Sequence, residues 1–187
     1  FNESMWAEFA LPYHRLIQEA AKDPIRRREG WMTRNHPVQL TSGRLIIPLY
    51  SDGYNMGLAA LSDDHGATWR ASGPMVGVAG IQPSIVEKKN GDLVAYLRET
   101  GRPPYRVQQS VSHDQGETWS PLTETNIPNP SASLQVIRLK HSKGWAMVFN
   151  DSDQRREKLS VALSYDEGET WPDKRVITPR TDGSYPS

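Results

Sequence analysis

The chain has 187 residues, with 22 Lys and Arg balanced by 22 Asp and Glu, so its formal charge at neutral pH is zero. That balance, with Arg26-Arg27-Arg28 as the one basic run, excludes the broad positive surface that nucleic acid or an anionic membrane requires. Cysteine is absent, which excludes disulfides, thiol catalysis and thiolate metal sites. No Cys/His spacing or calcium-loop pattern calls for a metal or other cofactor, and no apolar run approaches a membrane span.

In chain order, the first element expected is an amphipathic helix. Tyr13, Leu16, Ile17, Ala20 and Ala21 recur at helical spacing, and Asp23-Pro24 interrupts them. Residues 1–30 are thus read as a helical segment packed at a rim, with Arg26-Arg27-Arg28 a solvated helix end and no chemistry assigned to the segment. Strands follow: Val38 to Leu40, Leu45 to Ser51, Asn55 to Ser62 and Thr68 to Ala71 in a first unit. The second has Gln82 to Lys89, Asp92 to Glu99, Tyr105 to Ser112 and a piece from Thr118, with Asn90-Gly91 as a hairpin turn. In the third, Ser133 to Lys140, Gly144 to Asp151, Lys158 to Tyr165 and Thr170 onward repeat the plan. Units of about 50 residues with four antiparallel strands are propeller blades. The expected blades span 31–80, 81–130 and 131–180. Gly183 to Ser187 echoes Gly80 to Ser84, so a fourth is expected to begin at 181–187.

Each unit carries the same eight-residue pattern, Ser-x-Asp-x-Gly-x-Thr-Trp, at Ser62 to Trp69, Ser112 to Trp119 and Ser164 to Trp171. Its Asp (64, 114, 166) is expected to hold a turn by accepting backbone N–H groups. Its Gly (66, 116, 168) permits positive φ, and its Trp (69, 119, 171) is expected to open the next strand, bury its ring and find an acceptor for its N–H. Asp64, Asp114 and Asp166 are therefore read as structural rather than as a catalytic carboxylate cluster. The pattern resembles the Asp-box, or bacterial neuraminidase repeat, of the sialidase superfamily, over residues 31 to 187. That resemblance implies an all-β, six-bladed propeller, of which this chain supplies about three blades. Three blades cannot close a ring, so the expectation is a piece of a longer protein, with a homodimer completing six blades as the rival.

In an antiparallel blade the box turns lie at the end opposite the turns between strands two and three. Ligand-facing groups are therefore expected at Arg34, Asn35 and His36, at Tyr50, Ser51 and Asp52, at Gln82, at Arg98 and Glu99, at Ser131, and at Asn150 and Asp151. Arg34 and Arg98, with Arg106 as a weaker third, suit bidentate capture of a carboxylate. An ion pair of Arg98 with Glu99 or Asp52 is the bland alternative. The resemblance implies three arginines on a substrate carboxylate, a Tyr–Glu nucleophile pair and an Asp acid/base. Asp52 is the candidate for the last of these, and Tyr50 a substitute nucleophile, although the family's pair is expected in later blades. The family's Arg-Ile-Pro opening is missing, since Ile47-Pro48 follows Leu45-Ile46 inside a strand. The expected ligand is a carbohydrate, acidic in character, and the expected activity an exo-acting, retaining glycoside hydrolase. His36 beside arginines offers an alternative, proton abstraction by a lyase acting on uronate glycans. A propeller that binds glycan or protein without catalysis is a third reading.

Overall fold

The computed structural model describes residues 11–77, 79–101, 103–140 and 144–179. The expected start of a fourth blade at 181–187 and the side chain of Tyr13 lie outside the described residues. The helical segment forms α1 (Leu11–Lys22) and α2 (Pro24–Arg28). Asp23 separates them: its carboxylate accepts the Ile25 N–H at 2.8 Å, and Pro24 stands at the first turn of α2, where its missing donor costs nothing. The expected apolar face of α1 is shallow. Ile17, Ala20 and Ala21 are half-buried, whereas Leu16 is exposed.

Three antiparallel four-stranded sheets follow. Blade I is β1 (Val38–Gln39), β2 (Leu45–Ser51), β3 (Met56–Ser62) and β4 (Arg70–Ala71). Blade II is β5 (Gly80–Glu87), β6 (Leu93–Glu99), β7 (Arg106–Ser112) and β8 (Thr123–Pro128). Blade III is β9 (Gln135–Arg138), β10 (Trp145–Asn150), β11 (Lys158–Ser164) and β12 (Asp173–Pro179). Within each sheet consecutive strands are neighbours, as up-and-down connection requires. At the β5–β6 hairpin, Gly91 has φ +91° and Asn90 Oδ1 accepts the Asp92 N–H at 3.0 Å. β5 is buried along seven of its eight residues, because the middle blade is covered on both faces. One core joins blades I and II through Ile46, Leu61, Met75, Ile85, Leu93 and Leu97. A second joins blades II and III through Tyr96, Val107, Val136, Trp145, Met147 and Phe149.

The repeated octapeptide forms the same turn three times. In the second copy, Asp114 Oδ1 accepts from Ser112 Oγ at 2.7 Å and from the Thr118 N–H at 2.9 Å, Asp114 Oδ2 accepts from Thr118 Oγ1 at 2.5 Å, and Ser112 Oγ accepts the Gly116 N–H at 2.8 Å. Asp64 and Asp166 repeat the bonds with Ser62 and Thr68, and with Ser164 and Thr170. The turns also brace neighbouring blades. Arg44 of blade I contacts Asp63 at 2.6 Å and Glu117 of blade II at 2.9 Å, and Arg70 pairs with both carboxylates. Lys88 of blade II reaches Glu169 of blade III at 2.9 Å.

Two expectations for the tryptophans are corrected. The box Trp does not open the next strand of blade II. The Ser120 N–H donates to Val111 O, Pro121 then has no N–H to offer, and β8 begins only at Thr123. Nor do the three rings share one environment. Trp119 and Trp171 pack on the cores between blades, and their buried N–H groups have no acceptor among the described residues. Trp69 is 43% exposed, and its N–H donates to Gly66 O at 3.0 Å.

The box carboxyls make a pH prediction. Donation by the Thr68 and Thr170 hydroxyls, then by their N–H groups, holds Asp64 and Asp166 at about 2. For Asp114, burial pulls upward and is outweighed by Thr118 and Ser112, leaving it also at about 2. A carboxyl depressed in the folded state stabilises the fold above its unfolded value, about 4, and that contribution disappears as pH falls toward about 2. The melting temperature should fall across that window, and more shallowly in Asp114→Asn. An identical slope in the variant would contradict this role for the carboxylate.

Candidate functional site

The mouth opposite the boxes is built where β2, β6 and β10 end. Alternation along β6 decides what each side chain meets there. Leu97 and Glu99 turn into the packed faces, whereas Arg98 between them is half-buried. Glu99 consequently does not pair with Arg98. Burial raises its pKa, and its carboxylate accepts the Arg106 N–H at 3.3 Å. Arg106 itself donates to Tyr105 O at 3.0 Å and lies 3.8 Å from Asp153. Asp151 is occupied as well, by Lys158 at 3.0 Å and Lys174 at 2.8 Å.

Arg98 is the electrostatic centre of the mouth. Burial lowers its pKa first, Arg156 and Arg34 push in the same direction, and Asp52 and Tyr50 oppose them. Three guanidinium groups thus share one neighbourhood with one nearby aspartate, and the buried Nε of Arg98 has no hydrogen-bond partner among the described residues. Arg156 was not foreseen. It lies in the aperiodic turn between β10 and β11, where its Nη2 donates to Ser131 O at 2.7 Å. Carrying the rule about strand-two to strand-three turns past Asp151 would have found it.

Two more buried polar atoms at the mouth lack partners among the described residues, Gln82 Oε1 and Asn150 Oδ1. Gln82 also has φ +55°, beside the irregularity between Ile81 and Ser84 that interrupts β5 pairing. Strained backbone and unpaired buried polar groups persist where surrounding structure holds them, and they cluster at binding sites. Asn35 plays a different part, since its amide donates to both Gln82 O and Pro83 O at 2.9 Å and so ties the entry of blade I to blade II. Arg34, Asn35 and Asn150 line one recess of about 520 Å³, with Ser133 and Gln135. His36 lines a separate recess of about 680 Å³ along the first strands of the blades, with Leu40 and Glu87. Tyr50 is buried, and its backbone pairs with Met32, whereas Asp52 is exposed. Among the described residues no three His, Asp or Glu side chains are grouped to hold a metal, and no helix is long and apolar enough to cross a membrane.

Sequential four-stranded blades, Asp-box turns at one end and a polar mouth at the other define a β-propeller protein of the sialidase type. The chain belongs to the BNR repeat-like domain family, whose pattern matches residues 30–187. It is 30% identical to a sialidase of Micromonospora viridifaciens, over 89% of this chain and 28% of that protein. A protein of unknown function from Dyadobacter fermentans shares its fold, with a TM-score of 0.67 at 22% identity over 82% of this chain and 43% of that one. The leech intramolecular trans-sialidase, solved with 2,7-anhydro-Neu5Ac, matches at TM-score 0.64 and 25% identity over 76% of this chain and 24% of that one. The chain spans about a quarter of the length of the curated relatives it matches.

Proposed function

We propose that this chain supplies the carboxylate-binding half of a sialidase-like, exo-acting, retaining glycoside hydrolase for an acidic sugar. The observation that carries the reading is the group of Arg34, Arg98 and Arg156 around a mouth whose buried Arg98 Nε has no partner among the described residues. Like charges held together are unfavourable in the free protein, and a substrate carboxylate relieves that repulsion while filling the unmet donors. Gln82 and Asn150 add acceptors for sugar hydroxyls. Asp52, at the edge of the arginine field, donates a proton to the leaving oxygen. The nucleophile, a tyrosine with its base, comes from blades beyond these three, so the isolated 187-residue chain is expected to turn over weakly or not at all. A carboxylate nucleophile would be repelled by an anionic anomeric centre, which is the reason a tyrosine serves there.

The test is hydrolysis of a fluorogenic sialoside by the full-length protein, with the anomer of the first product followed by NMR. Release with retained configuration supports the reading. An unsaturated product absorbing in the ultraviolet would assign a lyase instead, and binding without turnover a non-catalytic propeller. Asp52→Asn should lower kcat for a sialoside with a poor leaving group about a hundredfold. A good leaving group needs less protonation and should be much less affected. Equal losses on both would remove Asp52 from the acid role.

A further inference from the structure

The repeat allows one junction between blades to be compared with the next. Between blades I and II, two apolar side chains close the outer part of the cleft. Met75 is fully buried and lies opposite Gly57, whose carbonyl accepts the Met75 N–H at 2.8 Å, and Leu122, the third residue after the box Trp119, packs on the same core. Between blades II and III both places are polar. Thr125 lies opposite Val107, the counterpart of Gly57, and its hydroxyl donates to Val107 O at 2.8 Å. Lys174, the third residue after Trp171, stands where Leu122 stands in blade II and turns its Nζ to Asp151 at 2.8 Å. This cleft therefore stays open, as a recess of about 530 Å³, within the roughly 300–1,000 Å³ of small-ligand pockets.

We propose that this recess binds a small organic cation, an ammonium group carried on an apolar body, at a site separate from the arginine-lined mouth. Charge selects the ligand. Two basic and three acidic side chains line the recess, and both lysines already face carboxylates, Lys88 with Glu169 at 2.9 Å and Lys174 with Asp151 at 2.8 Å. Glu167 accepts the Lys89 N–H at 2.8 Å, a neutral donor that leaves its charge unmatched. The Glu124 side chain has no hydrogen bond or ion pair among the described residues. The surrounding groups report the same negative field. Burial raises the Glu99 carboxyl and the charge of Glu124 adds to it, while burial, followed by Glu169 and Asp166, raises the Tyr96 hydroxyl on the floor.

The walls suit the rest of such a ligand. Trp171 is half-buried and meets Tyr96 edge to face, with centroids 6.2 Å apart. Phe149 carries the Lys174 ammonium 5.7 Å from its ring centroid, so an aromatic face of this recess already accepts a cation. The side-chain carbonyls of Gln109 and Asn126, unbonded among the described residues, can accept ammonium N–H groups. An anion would meet three carboxylates, and a neutral ligand would leave Glu124 unmatched.

The test is calorimetric titration of the full-length protein, at one ionic strength, with two probes of the same shape, benzylammonium and benzyl alcohol. Benzylammonium should bind with a dissociation constant of about 1 mM, as its size permits. The alcohol should bind at least about tenfold more weakly, for want of the charge-assisted bond. Glu124→Gln changes an exposed side chain, so the melting temperature is expected to hold, while affinity for the amine falls about tenfold and that for the alcohol does not. Lys174→Leu supplies the side chain that closes the preceding cleft and should abolish binding of both probes. No binding of the amine, equal binding of both probes, no loss in Glu124→Gln, undiminished binding in Lys174→Leu, or saturation by methyl β-galactoside in place of the amine would each overturn the site. The hydrolase reading concerns the mouth and would stand in every one of these cases.

Discussion

Replacing Arg98 by alanine is expected to lower kcat/KM of the full-length protein on an acidic sugar glycoside about a thousandfold, or about 4 kcal/mol, while leaving its melting temperature unchanged or higher. The two halves of that result have one cause. Arg98 is half-buried, its Nε has no partner among the described residues, and Arg156 and Arg34 repel it, so the free protein holds the cation at a cost that Asp52 offsets in part and a bound anion offsets further. Removing it relieves the fold and disables the site. Arg98→Lys should recover little, because an ammonium is a point charge that cannot engage a carboxylate with two parallel bonds. An arginine serving an ion pair behaves oppositely, with lost stability and nearly normal kinetics. A melting temperature that fell while kcat/KM held would therefore return Arg98 to that bland role.

Much of the fold was legible because its unit is repeated. Each octapeptide contains the donors and acceptors of its own turn, Asp114 with Ser112 and Thr118 for instance, so local sequence suffices to build it. The central strands were legible for a similar reason, since the apolar runs at Leu45, Leu93 and Trp145 coincide with β2, β6 and β10. What depends on a neighbouring blade was not legible. Identical Thr-Trp pairs lead to an exposed Trp69, bonded within its own box, and to half-buried Trp119 and Trp171, which pack on cores shared between two blades. The candidate site divides along the same line. Arg98 is visible at a strand end by alternation with Leu97 and Glu99, whereas Arg156 sits in a turn with no periodicity to point it inward. Asn35 has the composition of a ligand group and instead secures two carbonyls 47 and 48 residues away. The left-handed backbone of Gln82 has no signature, since glutamine has no special tolerance for it.

Gly168→Ala is expected to destabilise the fold by about 2–5 kcal/mol, against about 1–2 kcal/mol for Gly91→Ala, even though both glycines have φ near +90°. The shared part is the backbone conformation that a side chain disfavours. The difference is space. A Cβ on Gly91 meets nothing within 4 Å, whereas on Gly168 it would lie 2.2 Å from Tyr96 Oη and 2.8 Å from the Trp145 ring. Both are buried side chains of the core joining blades II and III, without room to retreat. Gly116, whose nearest neighbour is Ile46 Cδ1 at 3.2 Å, should fall between the two. Denaturant midpoints of the three variants would give the order, and Tyr96→Phe, which removes the nearest clashing atom, should recover part of the Gly168→Ala loss. Equal losses at all three positions would mean that the box glycine serves the turn alone. The expected gradient means that the same atom-sized vacancy also lets one blade's box close against the core of the blade before it, which explains how a local turn motif sets the spacing between blades.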